Sequence, residues 1–159
     1  MRAFFRAPFS WPSIVSRPLA ALLAVLLVAG CAVAPTQEMS DARQSVQAAR
    51  DAGAERYAQE NMRNAREYLE KAERELELRF FSRARHDAIV AKSEALKARD
   101  LALAIREAEA AIQSSQASGK VLEEARQTLR DAREAAARGR LRKALELAER
   151  ARRLARAAP

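Results

Sequence analysis

The sequence predicts an all-α protein: elongated antiparallel helical hairpins in a coiled-coil-like bundle, preceded by an N-terminal signal peptide. Three observations predict it. Apolar residues recur at spacings of three and four, which puts them on one helix face as in a packed seam. The chain is rich in Ala, Arg and Glu, with four glycines and five prolines in 159 residues, a composition typical of long helices. Residues 62–95 and 122–155 carry one apolar pattern displaced by sixty positions, the mark of a repeated unit.

The amino terminus differs from the rest. Arg2, Arg6 and Arg17 precede Leu19 to Ala29, an uncharged apolar run of eleven residues. That length suits a secretory signal and falls short of the roughly 20 apolar residues that cross a bilayer. Ala32-Val33-Ala34 has the small-x-small form of ordinary signal cleavage, but Pro35 would follow the cut, and a prolyl bond suits that peptidase poorly. Val28, Ala29 and Gly30 ahead of Cys31 resemble the bacterial lipobox, which ends in a cysteine that becomes the lipidated first residue. The resemblance implies a covalent diacylglycerol and an N-acyl chain on Cys31, and no other cofactor. Three chains, at about 0.8 kcal/mol per buried methylene, make a lasting anchor. Ala32, rather than aspartate, implies the periplasmic face of the outer membrane.

The helices follow in order. Met39, Ala42, Val46, Ala49 and Gly53 predict a helix over 38–52. Met62, Ala65, Leu69, Ala72 and Leu76 predict 59–78, and Phe81 through Ala84, Ala88, Ala91, Ala95, Ala98, Ala102 and Ile105 predict a long helix over 81–114. Leu122, Ala125, Leu129, Ala132 and Ala136 repeat the second pattern, and Leu141, Ala144, Ala148, Ala151 and Ala155 the third, predicting 120–137 and 141–157. Breaks fall at Leu78 to Phe80 and Arg138 to Arg140; Gly139 suits a left-handed helix end, whereas Arg79 holds the equivalent place. Polar residues with Gly119 at 113–119 suggest a linker or hinge between hairpins. The chain therefore divides into a signal peptide over 1–30, a tether over 31–37, an alanine-rich helical domain over 38–112, the linker, and a basic hairpin over 120–157. So many seam alanines bury little surface each, so the bundle is expected to be thin, without a large core to enclose a small molecule.

Glu38-Met39, the run Asp51 to Ala58, Asn64 to Ala72 and Phe81-Ser82-Arg83-Ala84-Arg85 resemble the alanine-rich helical domain of a bacterial lipoprotein family. That family is catalogued as a domain of unknown function and sometimes precedes an OmpA-like peptidoglycan-binding domain. The resemblance covers about residues 36–110. Gln59 replaces a proline frequent in the family and Leu78-Arg79-Phe80 its small glycine turn, and no OmpA-like module follows. The second hairpin is loosely similar to a tetratricopeptide unit without its Trp and Pro hallmarks.

Catalysis is not expected. His86 is the single histidine and is read as a surface residue, no glycine loop suits a phosphate, and one cysteine makes neither a disulfide framework nor a zinc cluster, so no metal is expected. Charge is more telling. Cys31 to Gly119 holds one more acidic than basic residue, whereas Lys120 to Pro159 holds twelve basic and six acidic. Arg138, Arg140, Arg142, Lys143, Arg150, Arg152, Arg153 and Arg156 form a basic stretch that suits an anionic partner or surface, or reflects composition alone. The export signal and the scarcity of base-stacking aromatics disfavour nucleic acid. The leading reading is a non-catalytic, lipid-anchored envelope lipoprotein serving as an interaction or spacer module. Its partners would be the membrane, through the anchor, and an anionic envelope component or envelope protein, with oligomerisation left open. The alternative is a soluble periplasmic binding or chaperone-like protein released after Ala34; a third, an intracellular nucleic-acid-binding protein, requires the amino terminus to stay uncleaved.

Overall fold

A long alanine-faced helix runs through the structure, and the other helices pack along it. The computed structural model describes residues 34–117 and 119–157, within one compact unit, Ala34–Pro159. Val28, Ala29, Gly30 and Cys31 lie outside the described residues. Every element among the described residues is helical: α1 Thr36–Asp51, α2 Ala54–Tyr57, α3 Gln59–Glu77, α4 Phe81–Gln113, α5 Gly119–Ala137 and α6 Leu141–Arg156. The all-α prediction therefore holds. All five helices read from the periodicity are present with ends within two residues, and α2 is added. A four-residue helix is too short to show a period, and it depends on Gly53, whose φ of 84° turns the chain out of α1.

The spine is α4, 33 residues long, roughly 50 Å at 1.5 Å per residue. Its first half packs against α1 and α3. Met39 and Ala42 of α1 share a core with Ala72 of α3 and with Ala88 and Ala91 of α4. The second half packs against the α5–α6 hairpin, which folds back from the Ser114–Ala117 connection. Glu109 of α4 meets Arg133 of α5, and the Ser115 hydroxyl donates to the Ala155 carbonyl at 2.7 Å. Midway, Val46, Met62, Ala98, Leu101, Ala132 and Ala148 fall in one cluster, so both hairpins share a core.

The buried faces are those the spacing selects. Ala84, Ala88, Ala91, Ala95, Ala98 and Ala102 are wholly buried along α4, as are Ala144, Ala148 and Ala151 along α6. Met39, Met62, Leu101 and Ile105 are the largest fully buried side chains within the helices. With methyl groups at most contacts there is little space to absorb a larger side chain. Ala98→Leu is expected to destabilise the fold by about 1–3 kcal/mol, read as an earlier urea midpoint.

The sixty-residue repeat extends to hydrogen bonds. At the end of α3 the Phe80 amide donates to the Glu75 carbonyl at 2.8 Å and the Arg79 amide to Leu76 at 3.0 Å. At the end of α5 the Arg140 amide donates to Ala135 at 2.9 Å and the Gly139 amide to Ala136 at 3.0 Å. Both are Schellman closures, which need left-handed backbone at the residue past the helix. Arg79 has φ 61° and Gly139 φ 68°. Arg79 therefore carries a strain that glycine avoids. Gly139→Ala is expected to cost about 1 kcal/mol or more, the new methyl also displacing the Glu60 carboxylate that lies against this glycine. Arg79→Gly should stabilise by about 0.5 kcal/mol, strain relief outweighing the freer unfolded chain. Urea melts of the two variants must move in opposite directions.

Candidate functional site

Where the two hairpins meet, α2 and the start of α3 face the end of α5 across a cleft of about 590 Å³. Arg56, Arg63, Arg66 and Arg133 line it, with Tyr57, Glu60 and Ile105. Gly53 sets its geometry by turning the chain into α2, which places Tyr57 over α4. The Tyr57 hydroxyl donates to Glu109 at 3.0 Å, and Arg133 donates to the same carboxylate at 2.5 Å. Glu109 thereby joins α2, α4 and α5 in one polar knot.

The four guanidiniums are not equally engaged. Arg66 lies 3.1 Å from Glu55, which Arg50 also approaches at 3.4 Å. Arg63 makes only a 3.7 Å pair with Glu67, both side chains exposed, an arrangement that contributes little. Arg56 lies 5.2 Å from the centre of the Tyr57 ring and has no carboxylate partner among the described residues. Arg56 and Arg63 thus keep N–H donors free in a partly enclosed cleft. Guanidinium forks of this kind suit a carboxylate or phosphate group.

The eight cations read from the sequence as an anionic-surface stretch divide into two sets. Arg138 pairs with Glu134 at 2.5 Å, Arg150 with Glu124 at 2.8 Å, Arg153 with Glu149 at 3.6 Å, and Arg152 with Glu107. Arg140, Arg142 and Lys143 are exposed and line a shallow depression at the α5–α6 turn; with Arg156 they have no carboxylate partner among the described residues. That turn follows closely in sequence on Ala136 and Ala137, which line the cleft. Sequence reasoning missed Arg56, Arg63, Arg66 and Arg133, which come from three helices, α2, α3 and α5.

The remaining polar chemistry holds helices in register. Asp87, only 2% exposed, has Lys71 Nζ 2.7 Å away across α3 and α4. Glu38 pairs with Arg85 at 2.7 Å and Asp41 with Lys92 at 2.8 Å, tying α1 to α4. His86 is exposed. No group of three or more potential metal ligands occurs among the described residues, and none of the described helices is long and apolar enough to cross a membrane.

Residues 37–111 match the family model described as Domain of unknown function (DUF4398). The match runs from α1 almost to the end of α4, so the α5–α6 hairpin falls outside it. No curated protein and no solved structure matches the chain.

Titration of the knot and of the register pairs is testable. Burial first, and then the Glu109 hydrogen bond, raise the Tyr57 hydroxyl above its ordinary value. The hydrogen bond to Asp87 raises Lys71, and that to Lys92 lowers Asp41. A raised folded-state value gives stability that is full below the unfolded value, about 10 for both Tyr and Lys, and is lost as pH rises through the folded one. The Asp41 contribution is present above about pH 4 and is lost on acidification. Tyr57→Phe is expected to flatten the alkaline loss while costing about 1 kcal/mol at neutral pH. Urea midpoints from pH 7 to 11 check both effects.

Proposed function

We propose that the chain is a non-catalytic, lipid-anchored lipoprotein on the periplasmic side of the outer membrane, whose helices serve as an interaction and spacer module. The observation that carries this reading is Val28-Ala29-Gly30-Cys31 at the end of an uncharged apolar run behind a basic amino terminus. The match to a family of unknown function supports the helical domain and leaves its role to be tested.

In this reading the module holds an anionic envelope component or the acidic face of an envelope protein. The contact would use the guanidiniums left without carboxylates, Arg56 and Arg63 in the cleft and Arg140, Arg142 and Lys143 beside it.

Intact mass of the protein purified from cells tests the anchor, with a diacylglycerol and an N-acyl chain expected on Cys31. Cys31→Ala should abolish the added mass and release the protein from the outer-membrane fraction. An unmodified chain beginning at Pro35 would instead establish a soluble periplasmic protein, and unchanged fractionation of the alanine variant would overturn the anchor.

A further inference from the structure

The two hairpin turns share backbone and hydrogen bonds but carry different surfaces. In the α5–α6 turn the exposed positions include Arg138, Arg140 and Lys143; sixty residues earlier their counterparts are Leu78, Phe80 and Arg83. Leu78 is 63% exposed and Phe80 49% exposed, although both are large apolar side chains with no part in closing the helix. The Arg83 guanidinium lies 5.2 Å from the centre of the Phe80 ring. Arg79 stands between the two apolar residues in left-handed backbone, which holds the turn in one shape. From Leu78 to Arg83 there is no acidic side chain. Arg79 and Arg83 have no carboxylate partner among the described residues.

This turn lies at a particular end of the bundle. Met39, in the first turns of α1, shares a core with Ala72 and Ala88, and Leu76 packs against that core. Glu38 reaches Arg85 at 2.7 Å. The start of α1 is therefore level with the end of α3 and the start of α4, and the Leu78–Phe80 turn caps the same end. Cys31 precedes Thr36 by five residues, a covalent reach of roughly 18 Å at full extension. A lipid on Cys31 would leave this end of the bundle, and with it this turn, within reach of the bilayer surface.

We propose that Leu78, Arg79, Phe80 and Arg83 form a second membrane contact, in which the leucine and phenylalanine enter the headgroup boundary of an anionic bilayer and the two arginines meet its phosphates. The site rests on the lipid-anchor reading for its delivery to the membrane. Its chemistry stands apart from that reading: an apolar body with a cationic rim is what an interfacial contact requires, and anionic lipid attracts basic residues within a Debye length. The bundle would then stand on two points, a lipid and a protein tip, and its long axis would be fixed relative to the membrane.

Trp11 is the only tryptophan and precedes Cys31, so the chain carrying Trp11→Phe and Phe80→Trp has a single reporter at the tip whether or not residues 1–30 are removed. Purified from membranes and reconstituted into phosphatidylglycerol-containing vesicles, it should emit at shorter wavelength and be quenched by brominated phospholipid. The same chain with Leu103→Trp instead, a half-exposed site far along α4, should be quenched several-fold less. Replacing Arg79 and Arg83 by Gln, or using phosphatidylcholine alone, should weaken quenching of the tip reporter. Equal quenching of the two reporters, or none at the tip, overturns the proposal, as does a blue shift without bromolipid quenching, which would indicate a protein partner or a second copy. Intact mass of the same preparation reports the anchor separately. If Cys31 proves unmodified the anchor reading fails, and quenching of the Phe80→Trp reporter by added anionic vesicles still upholds or overturns the tip.

Discussion

Close approach of helices across alanine is the constraint on which the structure depends. Along α4, one alanine or another faces a neighbouring helix at nearly every turn, and those neighbours present alanines in return. Each methyl removes only a small apolar area from water, worth about 25 cal/mol per Å². Stability must therefore come from many contacts over a long interface, which a 33-residue helix supplies. None of α1, α3, α4 and α6 has a side-chain N-cap bond. Their ends are set by packing and by the preceding turn more than by capping chemistry.

Because apolar seams slide easily when their residues are alike, polar pairs at the seam's edges define the register. Lys71 with Asp87 aligns α3 on α4, Lys92 with Asp41 aligns α1, and Arg150 with Glu124 aligns α6 on α5. Exposed pairs contribute little stability singly, but a shift of one helical turn would break several at once. Glu109 has the same role between halves, since Tyr57 of α2 and Arg133 of α5 both donate to it. The cleft lies beside it: three helices converge on one carboxylate, and Arg56, Arg63, Arg66 and Arg133 line the gap that remains between the two hairpins.

The fold is largely legible in the sequence because alanine spacing records directly which face is buried. Spacing alone assigns Ala84, Ala88, Ala91, Ala95, Ala98 and Ala102 to the seam, and Ala144, Ala148, Ala151 and Ala155 likewise, and all are buried. The turn at Arg79 is harder to read, since its residue type gives no hint of left-handed backbone; only the register with Gly139 supplies it. Helix α2 is illegible for want of length. The cleft is illegible for a different reason: counting charges along the chain cannot show which cations neutralise acids on other helices. Arg150 and Arg152 look free in sequence and are paired with Glu124 and Glu107, whereas Arg56, with acids close by in sequence, has none as a partner.

Direction along α4 connects the two proposed contacts. The Leu78–Phe80 turn stands at its beginning, while Ile105, which lines the cleft, stands 24 residues beyond Phe81, roughly 36 Å along a helix rising 1.5 Å per residue. A chain held by its first helix and by that turn would present the arginine cleft well clear of the headgroups. At that distance, several Debye lengths at physiological salt, a membrane's negative charge would no longer compete for Arg56 and Arg63. The same separation would let one protein use arginines twice, for lipid phosphates at the tip and for a different anion at the cleft. A shorter α4 would bring the two proposed contacts into conflict, so on this reading the spine's length would serve function as well as packing.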